Sequence, residues 1–247
     1  MIASFKKCPR RFELEYIENL RPVSGTSEAL TIGTDYHANI EKILKGENYN
    51  HSGLAGKMAE VFEKYIDWKG WQAKPEQEFK VRLARGIYLK GKLDAITKDG
   101  VPVEHKTTGQ FSLEKYIDHL AYDDQIAIYM LVTQSTRSIY TIIQKPTIRQ
   151  RMNETEEEYL SRVEEWYTPE HVLSVNVYRT AGDLQEKREE VIYLARQISK
   201  MKMFWRNPNT CALIDCPYAS ICLNYEPSVQ LAGFERKERR NEELCKF

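Results

Sequence analysis

The spacing of apolar residues changes along the chain from a helical period to a strand period and back. Up to about residue 75, apolar side chains recur every three or four positions, as they do in amphipathic helices. From about residue 76 apolar and polar residues alternate, which is typical of half-buried strands. The first stretch predicts helices over 4–17, 27–45 and 54–68.

The alternating stretch predicts an antiparallel meander of three strands over roughly 77–106. Lys98, Asp99 and Gly100 supply its last turn, because glycine adopts a positive φ at no steric cost. Helices and strands then follow in turn, which indicates an α/β fold whose central mixed β-sheet is flanked by helices. These later elements are helices at 112–118 and 122–134, a strand at 137–145, an acidic helix at 153–166, a strand at 172–178 and a helix at 181–205.

The end of the meander brings candidate catalytic residues together. Side chains alternate along a strand, so Glu104 and Lys106 share one face while His105 points the other way. Asp94 on the preceding strand converges on the same face if the two strands pair. Two carboxylates suit Mg²⁺ or Mn²⁺, and a nearby lysine can orient or deprotonate a water molecule. The alternative is a solvated Glu–Lys pair on an exposed strand, because short motif matches often arise by accident.

The charge balance leaves the question of a nucleic-acid partner to local clusters. The 247-residue chain has 36 Lys and Arg against 36 Asp and Glu, so its net charge is zero. The basic residues that offer either a phosphate-contacting surface or a solvated polar face are Lys6, Lys7, Arg10 and Arg11 and, on the first strand, Lys80 and Arg82. No apolar run is long enough to span a bilayer and the N-terminus does not resemble a signal peptide, so we expect no membrane partner and a cytoplasmic location.

Three of the five cysteines lie close together near the end of the chain. Cys211, Cys216 and Cys222 form a C-x4-C-x5-C pattern. In a reducing compartment such thiols are metal ligands or free thiols more often than disulfides. Four thiolates are the usual ligand set of an iron–sulfur cluster or a structural zinc ion, and Cys8 and Cys245 are the available fourth ligands. The alternative is that these cysteines are ordinary small hydrophobic residues.

Together these motifs resemble the RecB-like branch of the PD-(D/E)XK nuclease superfamily. They resemble in particular its iron–sulfur members, such as the CRISPR-associated nuclease and the AddB nuclease domain. The family pattern is a helical His, a G-x-x-D strand, a strand ending in (D/E)-x-K, and a helix with Q-x-x-x-Y. Here these motifs fall on His37, on Gly91 to Asp94, on Glu104 to Lys106, and on Gln125 with Tyr129. The resemblance runs from Cys8 to Cys222, although the first two C-terminal cysteines are spaced more widely than in the family.

The resemblance implies a restriction-endonuclease-like core and a role for each motif residue. Mg²⁺ or Mn²⁺ would be bound by His37, Asp94, Glu104 and the backbone carbonyl of His105. Lys106 would position the attacking water, and Gln125 and Tyr129 would bind the DNA backbone or brace the catalytic face. A 4Fe–4S cluster held by Cys8, Cys211, Cys216 and Cys222 would join the N- and C-terminal segments, which leaves Cys245 as a free thiol.

The expected activity is a metal-dependent DNA exonuclease that acts on single strands or DNA ends. Its setting would be recombination, repair or the processing of CRISPR or phage DNA, with recombination or CRISPR proteins as further partners. We expect one nuclease domain over 1–247, with a helical part at 1–75, the nuclease core at 76–180, and a C-terminal helix and cysteine cluster at 181–247. Two alternatives remain open: a non-catalytic or partner-dependent DNA-binding subunit, and a zinc-stabilised binding module without catalysis.

Overall fold

The computed structural model describes residues 1–23, 28–109, 113–120, 122–211, 216–223 and 233–236. The chain divides into two compact units. One unit is Ser27–Glu190, and the other combines both ends of the chain, Met1–Thr26 and Val191–Phe247. We refer to them as the sheet unit and the terminal unit.

The helices and strands of the described residues include one run of three consecutive strands, as the apolar pattern predicts. The helices are α1 (Ile2–Lys7), α2 (Pro9–Phe12), α3 (Glu28–Lys45), α4 (Gly53–Tyr65), α5 (Leu113–Leu120), α6 (Asp124–Thr133), α7 (Glu156–Trp166), α8 (Ala181–Lys200), α9 (Pro208–Cys211) and α10 (Ala219–Leu223). The strands are β1 (Leu20–Pro22), β2 (Lys74–Ala84), β3 (Ile87–Ile96), β4 (Pro102–Thr108), β5 (Arg137–Gln144), β6 (Val172–Tyr178) and β7 (Phe234–Arg236). Glu13–Ile17 forms a π-helical turn, and Lys69–Trp71 and Pro169–His171 form 3₁₀ turns.

The sheet unit is built on five strands in the order β2–β3–β4–β5–β6. β4 and β5 are parallel, and every other neighbouring pair is antiparallel. All of β5 is buried except for the half-buried Arg137 at its start, which fits a strand that is covered on both faces. The α/β fold with a central mixed sheet and the three-stranded meander are therefore confirmed. Gly100 has a φ of 77° in the turn before β4, as predicted for that position.

Helices cover both faces of the sheet. Side chains alternate along β5, so neighbouring residues pack against different helices. Ile143 lies in one buried cluster with Tyr36 of α3 and Phe62 of α4. Tyr140 and Ile142 lie in another with residues of α5 and α6. Burying both faces in this way fixes which side of each strand faces which helix, and this decides where the polar residues of β4 point.

The terminal unit brings the two ends of the chain together through hydrogen bonds. β1 and β7 pair as an antiparallel ribbon. The Tyr218 hydroxyl donates to the backbone carbonyl of Leu20 at 2.9 Å. The carbonyl of Lys7 accepts hydrogen bonds from Asn207 Nδ2 at 2.8 Å and from Thr210 Oγ1 at 3.0 Å. These contacts join the N- and C-terminal segments, and the metal cluster expected between them remains a proposal.

Three helix predictions need correction. The helix expected over 4–17 is interrupted at Cys8, which is extended with φ −159° and ψ 109°. Pro9 explains the break, because a residue that precedes proline is forced out of the helical region. The helix expected over 54–68 ends at Tyr65, since Ile66 is extended and buried. The helix expected over 181–205 ends at Lys200.

Within the parts of the chain that the structure describes, no helix combines the length and the apolar character that a membrane span requires.

Candidate active site

The candidate site lies where β3 and β4 separate. Their ladder ends at the pair of Ala95 and Val103, although both strands continue beyond it. Past this point Asp94 Oδ2 accepts the backbone N–H of His105 at 3.0 Å, where a regular ladder would supply a carbonyl oxygen. The carboxylate of Asp94 therefore lies in the gap between the two strands.

His37 reaches the same gap from α3. Its Nδ1 is 3.5 Å from Asp94 Oδ2. Burial lowers the pKa of His37, while Asp94 and a hydrogen bond to the backbone of His105 act in the opposite direction. Only an acceptor stabilises an imidazolium, so the backbone atom of His105 is its carbonyl oxygen. The net lowering of the pKa leaves the imidazole neutral near pH 7, which is the form that binds metal ions.

The His105 side chain itself points away from this gap. Its Nδ1 is 2.7 Å from Thr141 Oγ1, and its ring meets the ring of Phe62 edge-on with centroids 5.5 Å apart. Burial lowers the pKa of His105 to about 4, so the imidazole is neutral at ordinary pH. Only the backbone of His105 is therefore available to the site, in keeping with the alternation along β4.

Glu104 is a buried carboxyl group with too few polar contacts to offset the cost of its burial. Its side chain is 1% exposed, and among the described residues neither oxygen has a hydrogen bond of ordinary geometry. Oε1 lies in direct contact with Lys106 Nζ, while Oε2 has no partner among the described residues. Burial raises the pKa of Glu104 to about 8; the nearby charge of Asp94 acts in the same direction, and Lys106 acts against it. Near neutral pH the side chain therefore carries a proton.

Lys106 is held in place by a chain of hydrogen bonds that ends on β3. Its Nζ donates to Gln125 Oε1 at 3.0 Å, and Gln125 Nε2 donates to the Tyr129 hydroxyl at 2.8 Å. The Tyr129 hydroxyl donates to the carbonyl of Lys92 at 2.7 Å. Burial lowers the pKa of Lys106, but Glu104 and Asp94 outweigh it and raise the pKa above its ordinary value. The side chain is thus a fixed cation, suited to orienting water and to offsetting negative charge.

The donor set fits a hard divalent cation, although the ligands are not already gathered around one point. Among the described residues no three His, Cys, Asp or Glu side chains are arranged as a ready metal site. Nevertheless Glu104 Oε2 is buried without a partner, and the Asp94 carboxylate and the His37 imidazole flank the same gap. A cation there would replace the proton that Glu104 holds and give its oxygens a partner.

Most of the predicted DNA-contacting residues already interact with neighbouring groups of the protein. Arg10 pairs with Glu13, and Arg11 lies 3.5 Å from Glu15, so both charges are partly neutralised within their own turns. Lys6 and Lys7 are exposed on α1. Lys80 lies over the ring of Tyr88, and Arg82 Nε donates to the carbonyl of Ala84 at 3.3 Å. The first four residues belong to the terminal unit and the last two to the sheet unit.

The four predicted cluster ligands are free thiols in the structure, and all belong to the terminal unit. Cys8 is buried, Cys216 and Cys222 are half-buried, and Cys211 is exposed. Burial raises the pKa of the Cys211 thiol, and the charges of the other three cysteines act in the same direction. The charges of the four cysteines therefore influence one another, but among the described residues no three of these sulfurs are gathered as a ready metal site. Cys245, expected to be a free thiol, lies outside the described residues.

Asp123 is a part of the site that the sequence reasoning missed. It caps α6, and its Oδ1 accepts the backbone N–H of Gln125 at 2.7 Å and of Ile126 at 3.3 Å. Its Oδ2 accepts the Tyr140 hydroxyl at 3.4 Å. This cap fixes the first turn of α6 and so directs Gln125 towards Lys106. An Asp directly before an apolar helical pattern is a recognisable cap signal and was available in the sequence.

The described structure is that of an α/β protein whose mixed sheet carries the candidate site in the gap between β3 and β4. Residues 1–223 match the model of the PD-(D/E)XK nuclease superfamily, and the chain belongs to that superfamily. Membership implies a DNA substrate and, as is typical of these nucleases, divalent metal ions.

Two solved structures resemble the chain at low identity. The crystal structure of SSO0001 is 18% identical with a TM-score of 0.47, covering 87% of this chain and 81% of that chain. A phage-related exonuclease from Haemophilus somnus 129PT is 17% identical with a TM-score of 0.40, covering 70% of this chain and 86% of that chain. No curated protein sequence matches the chain.

Proposed function

We propose that the protein is a metal-dependent DNA exonuclease of the RecB-like, iron–sulfur branch of its superfamily. The observation that carries the metal dependence is Glu104, a buried carboxylate with an unpartnered oxygen, facing Asp94 and Lys106 at a gap between strands. A bare carboxylate is costly to bury, and a divalent cation would offset that cost. His37 and the His105 carbonyl would complete the ligand set, and the imidazole makes Mn²⁺ a good fit besides Mg²⁺.

Each side chain has a distinct task in phosphodiester hydrolysis. A bound divalent cation would supply Lewis-acid polarisation of the phosphate and a lowered pKa for the attacking water. Lys106 orients that water and offsets the negative charge that develops on the phosphate. Because the pKa of Lys106 is raised, it acts as a cation rather than as the general base. Gln125 and Tyr129 brace Lys106 from α6, and this contact favours bracing over the alternative of binding the DNA backbone.

Exonuclease action on single strands or DNA ends rests on the family resemblance of the motifs. The test is digestion of end-labelled single-stranded and linear double-stranded DNA, with closed circular DNA as the substrate without ends, in Mg²⁺ and in Mn²⁺. An exonuclease releases short products from labelled ends and leaves the circles intact. If circles are cut as readily as linear single strands, the enzyme is an endonuclease and this part of the proposal is wrong.

A 4Fe–4S cluster on Cys8, Cys211, Cys216 and Cys222 is the second part of the proposal. Two observations support it: all four cysteines belong to the terminal unit, and, besides burial, the charges of the other three raise the pKa of Cys211. Joining positions about 200 residues apart would constrain the unfolded chain strongly. Anaerobically purified protein should contain iron and sulfide, and each Cys→Ala change should lower the iron content. Stoichiometric zinc without iron would instead support the zinc-stabilised alternative.

A non-catalytic or partner-dependent DNA-binding subunit is the competing function. The fixed Lys106 and the unpartnered Glu104 oxygen argue against it, because a vestigial site has no reason to keep costly polar groups buried. Wild-type protein that binds DNA but cleaves none of the three substrates in either metal would favour it.

A further inference from the structure

A short segment of the terminal unit exposes a tryptophan next to a basic residue. Residues 201–207 follow α8 without regular structure, and their sequence is Met-Lys-Met-Phe-Trp-Arg-Asn. Phe204 packs on Phe12 with ring centroids 6.2 Å apart. Trp205 is 55% exposed and Met203 is 75% exposed, and neither is explained by the catalytic site. Among the described residues, Trp205 belongs to none of the buried hydrophobic clusters, so its ring is accessible to a partner.

The segment is fixed in place by the other end of the chain. The backbone N–H of Arg10 donates to the carbonyl of Trp205 at 3.0 Å. The Lys7 carbonyl accepts from Asn207 Nδ2 and Thr210 Oγ1, at 2.8 and 3.0 Å. Two hydrogen bonds and the Phe204–Phe12 contact therefore hold this segment against residues 7–12, and a third hydrogen bond, from Thr210, lies just beyond it. The exposed ring stands on an ordered support rather than on a free loop, so stacking on it would cost little ordering entropy.

The surroundings of Trp205 are positively charged. Neither residues 1–12 nor residues 201–211 contain an Asp or a Glu. Lys7, Lys202 and Arg206 are exposed. Arg10 and Arg11 are compensated by Glu13 and Glu15, so the exposed charges of the surface come chiefly from the lysines and from Arg206. Proteins that bind single-stranded nucleic acid without sequence preference combine exposed aromatic rings, on which bases stack, with basic residues that contact the phosphates. Trp205 and the basic residues around it have this composition.

We propose that Trp205, with Lys7, Lys202 and Arg206, forms a stacking surface for single-stranded DNA. A base of the strand stacks on the Trp205 indole, and the three cations contact neighbouring phosphates. Duplex DNA fits less well, because its bases are already stacked and cannot offer a face to the ring. This inference rests on the proposed function for its choice of DNA, and it adds a substrate-binding surface outside the catalytic gap.

The test is binding of fluorescently labelled oligo(dT) and of a matched duplex in excess EDTA, so that no cleavage interferes. Trp205→Ala should raise the Kd for the single strand about tenfold, because base–aromatic stacking typically contributes that much or more. Trp205→Phe should bind nearly as wild type, since a ring remains. Tyr193→Ala removes another exposed aromatic of the same unit, 61% exposed, and should leave the Kd unchanged.

Two further readouts separate stacking from a folding defect. Oligo(dT) should quench part of the tryptophan fluorescence of the wild type, and that part should vanish in Trp205→Phe although the variant still binds. Arg206→Gln and Lys202→Gln should each lower the slope of log Kd against log salt by about 0.7. Equal binding by wild type and Trp205→Ala, or no quenching in the wild type, would overturn the inference.

The outcome is distinguishable from failure of the proposed function. If the protein binds single strands through Trp205 but cleaves no DNA in any metal, the stacking surface stands and the nuclease proposal fails. If the protein cleaves DNA but Trp205→Ala binds and cuts like the wild type, only the stacking surface is wrong. Tighter binding of duplex than of single strands would also overturn it.

Discussion

Replacing Glu104 with glutamine should stabilise the metal-free protein while abolishing its response to divalent metals. In the folded state the pKa of Glu104 lies at about 8, raised from 4.5 by burial. Between these two values the folded protein holds a proton that the unfolded chain has released. Folding stability must therefore fall as pH rises through this window, and well below pH 4.5 the ionisation of Glu104 causes no change of stability with pH. The substituted glutamine cannot ionise, and it keeps a carbonyl oxygen that can face Lys106.

The size of the effect follows from the width of the window. A difference of one unit between the pKa values of the folded and unfolded states corresponds to about 1.4 kcal/mol of folding free energy. The full rise of the Glu104 pKa from 4.5 to about 8 therefore amounts to roughly 5 kcal/mol. At pH 7 the free energy of unfolding of the wild type is therefore about 3 kcal/mol lower than at pH 4.5. We expect Glu104→Gln to be more stable than the wild type by about 3 kcal/mol at pH 7 and by about 1 kcal/mol at pH 5.

The assay is urea unfolding in excess EDTA at several pH values between 5 and 8, followed by circular dichroism. The matched control is Glu154→Gln, because the Arg162 hydrogen bond holds the pKa of Glu154 at about 2, so its removal should destabilise rather than stabilise at pH 7. Added Mg²⁺ should stabilise the wild type but not Glu104→Gln. A Glu104→Gln variant that is less stable than the wild type at pH 7, or whose gain does not change with pH, would refute the reasoning.

Two further outcomes test the site. Because the metal must displace the Glu104 proton, Mg²⁺ binding in weak buffer at pH 7 should release about one proton. For the same reason the affinity for Mg²⁺ should rise with pH up to about 8. An affinity for Mg²⁺ that does not change with pH would contradict this. Gln125→Ala removes the acceptor that holds Lys106 Nζ, so kcat should fall about tenfold while KM changes little. Tyr129→Phe should give a smaller loss, and a rise in KM alone would mean that this pair binds DNA instead.

The strands and helices of the sheet unit follow from local periodicity, which is why the sequence predicts them well. The meander alternates most clearly within β2, where exposed and covered positions follow one another, whereas β4 and β5 are buried on both faces and β5 is correspondingly apolar. The Asp94, Glu104 and Lys106 constellation is likewise readable, because strand alternation puts the last two on one face. Periodicity carries no information on where β3 and β4 separate, and that separation is what admits His37.

The errors lie where tertiary contacts override local pattern. The helical spacing at 181–205 continues past Lys200, but packing of Phe204 on Phe12 and the Arg10–Trp205 hydrogen bond hold the last residues outside the helix. Cys8 leaves the helical region because proline follows it, a signal that was present in the sequence but was outweighed by the apolar spacing. Both departures fall in the terminal unit, whose structure depends on residues about 200 positions apart.

Cleavage of end-labelled linear DNA by the wild type and by Asp94→Ala, with Mg²⁺, with Mn²⁺ and with EDTA, decides whether the gap between β3 and β4 is a metal-dependent nuclease site. Circular dichroism and urea unfolding establish beforehand that the variant is folded. The wild type should release labelled products in either metal and none in EDTA, and folded Asp94→Ala should release almost none. Equal cleavage by Asp94→Ala, or wild-type cleavage that persists in EDTA, would contradict the metal-dependent site at the β3–β4 gap.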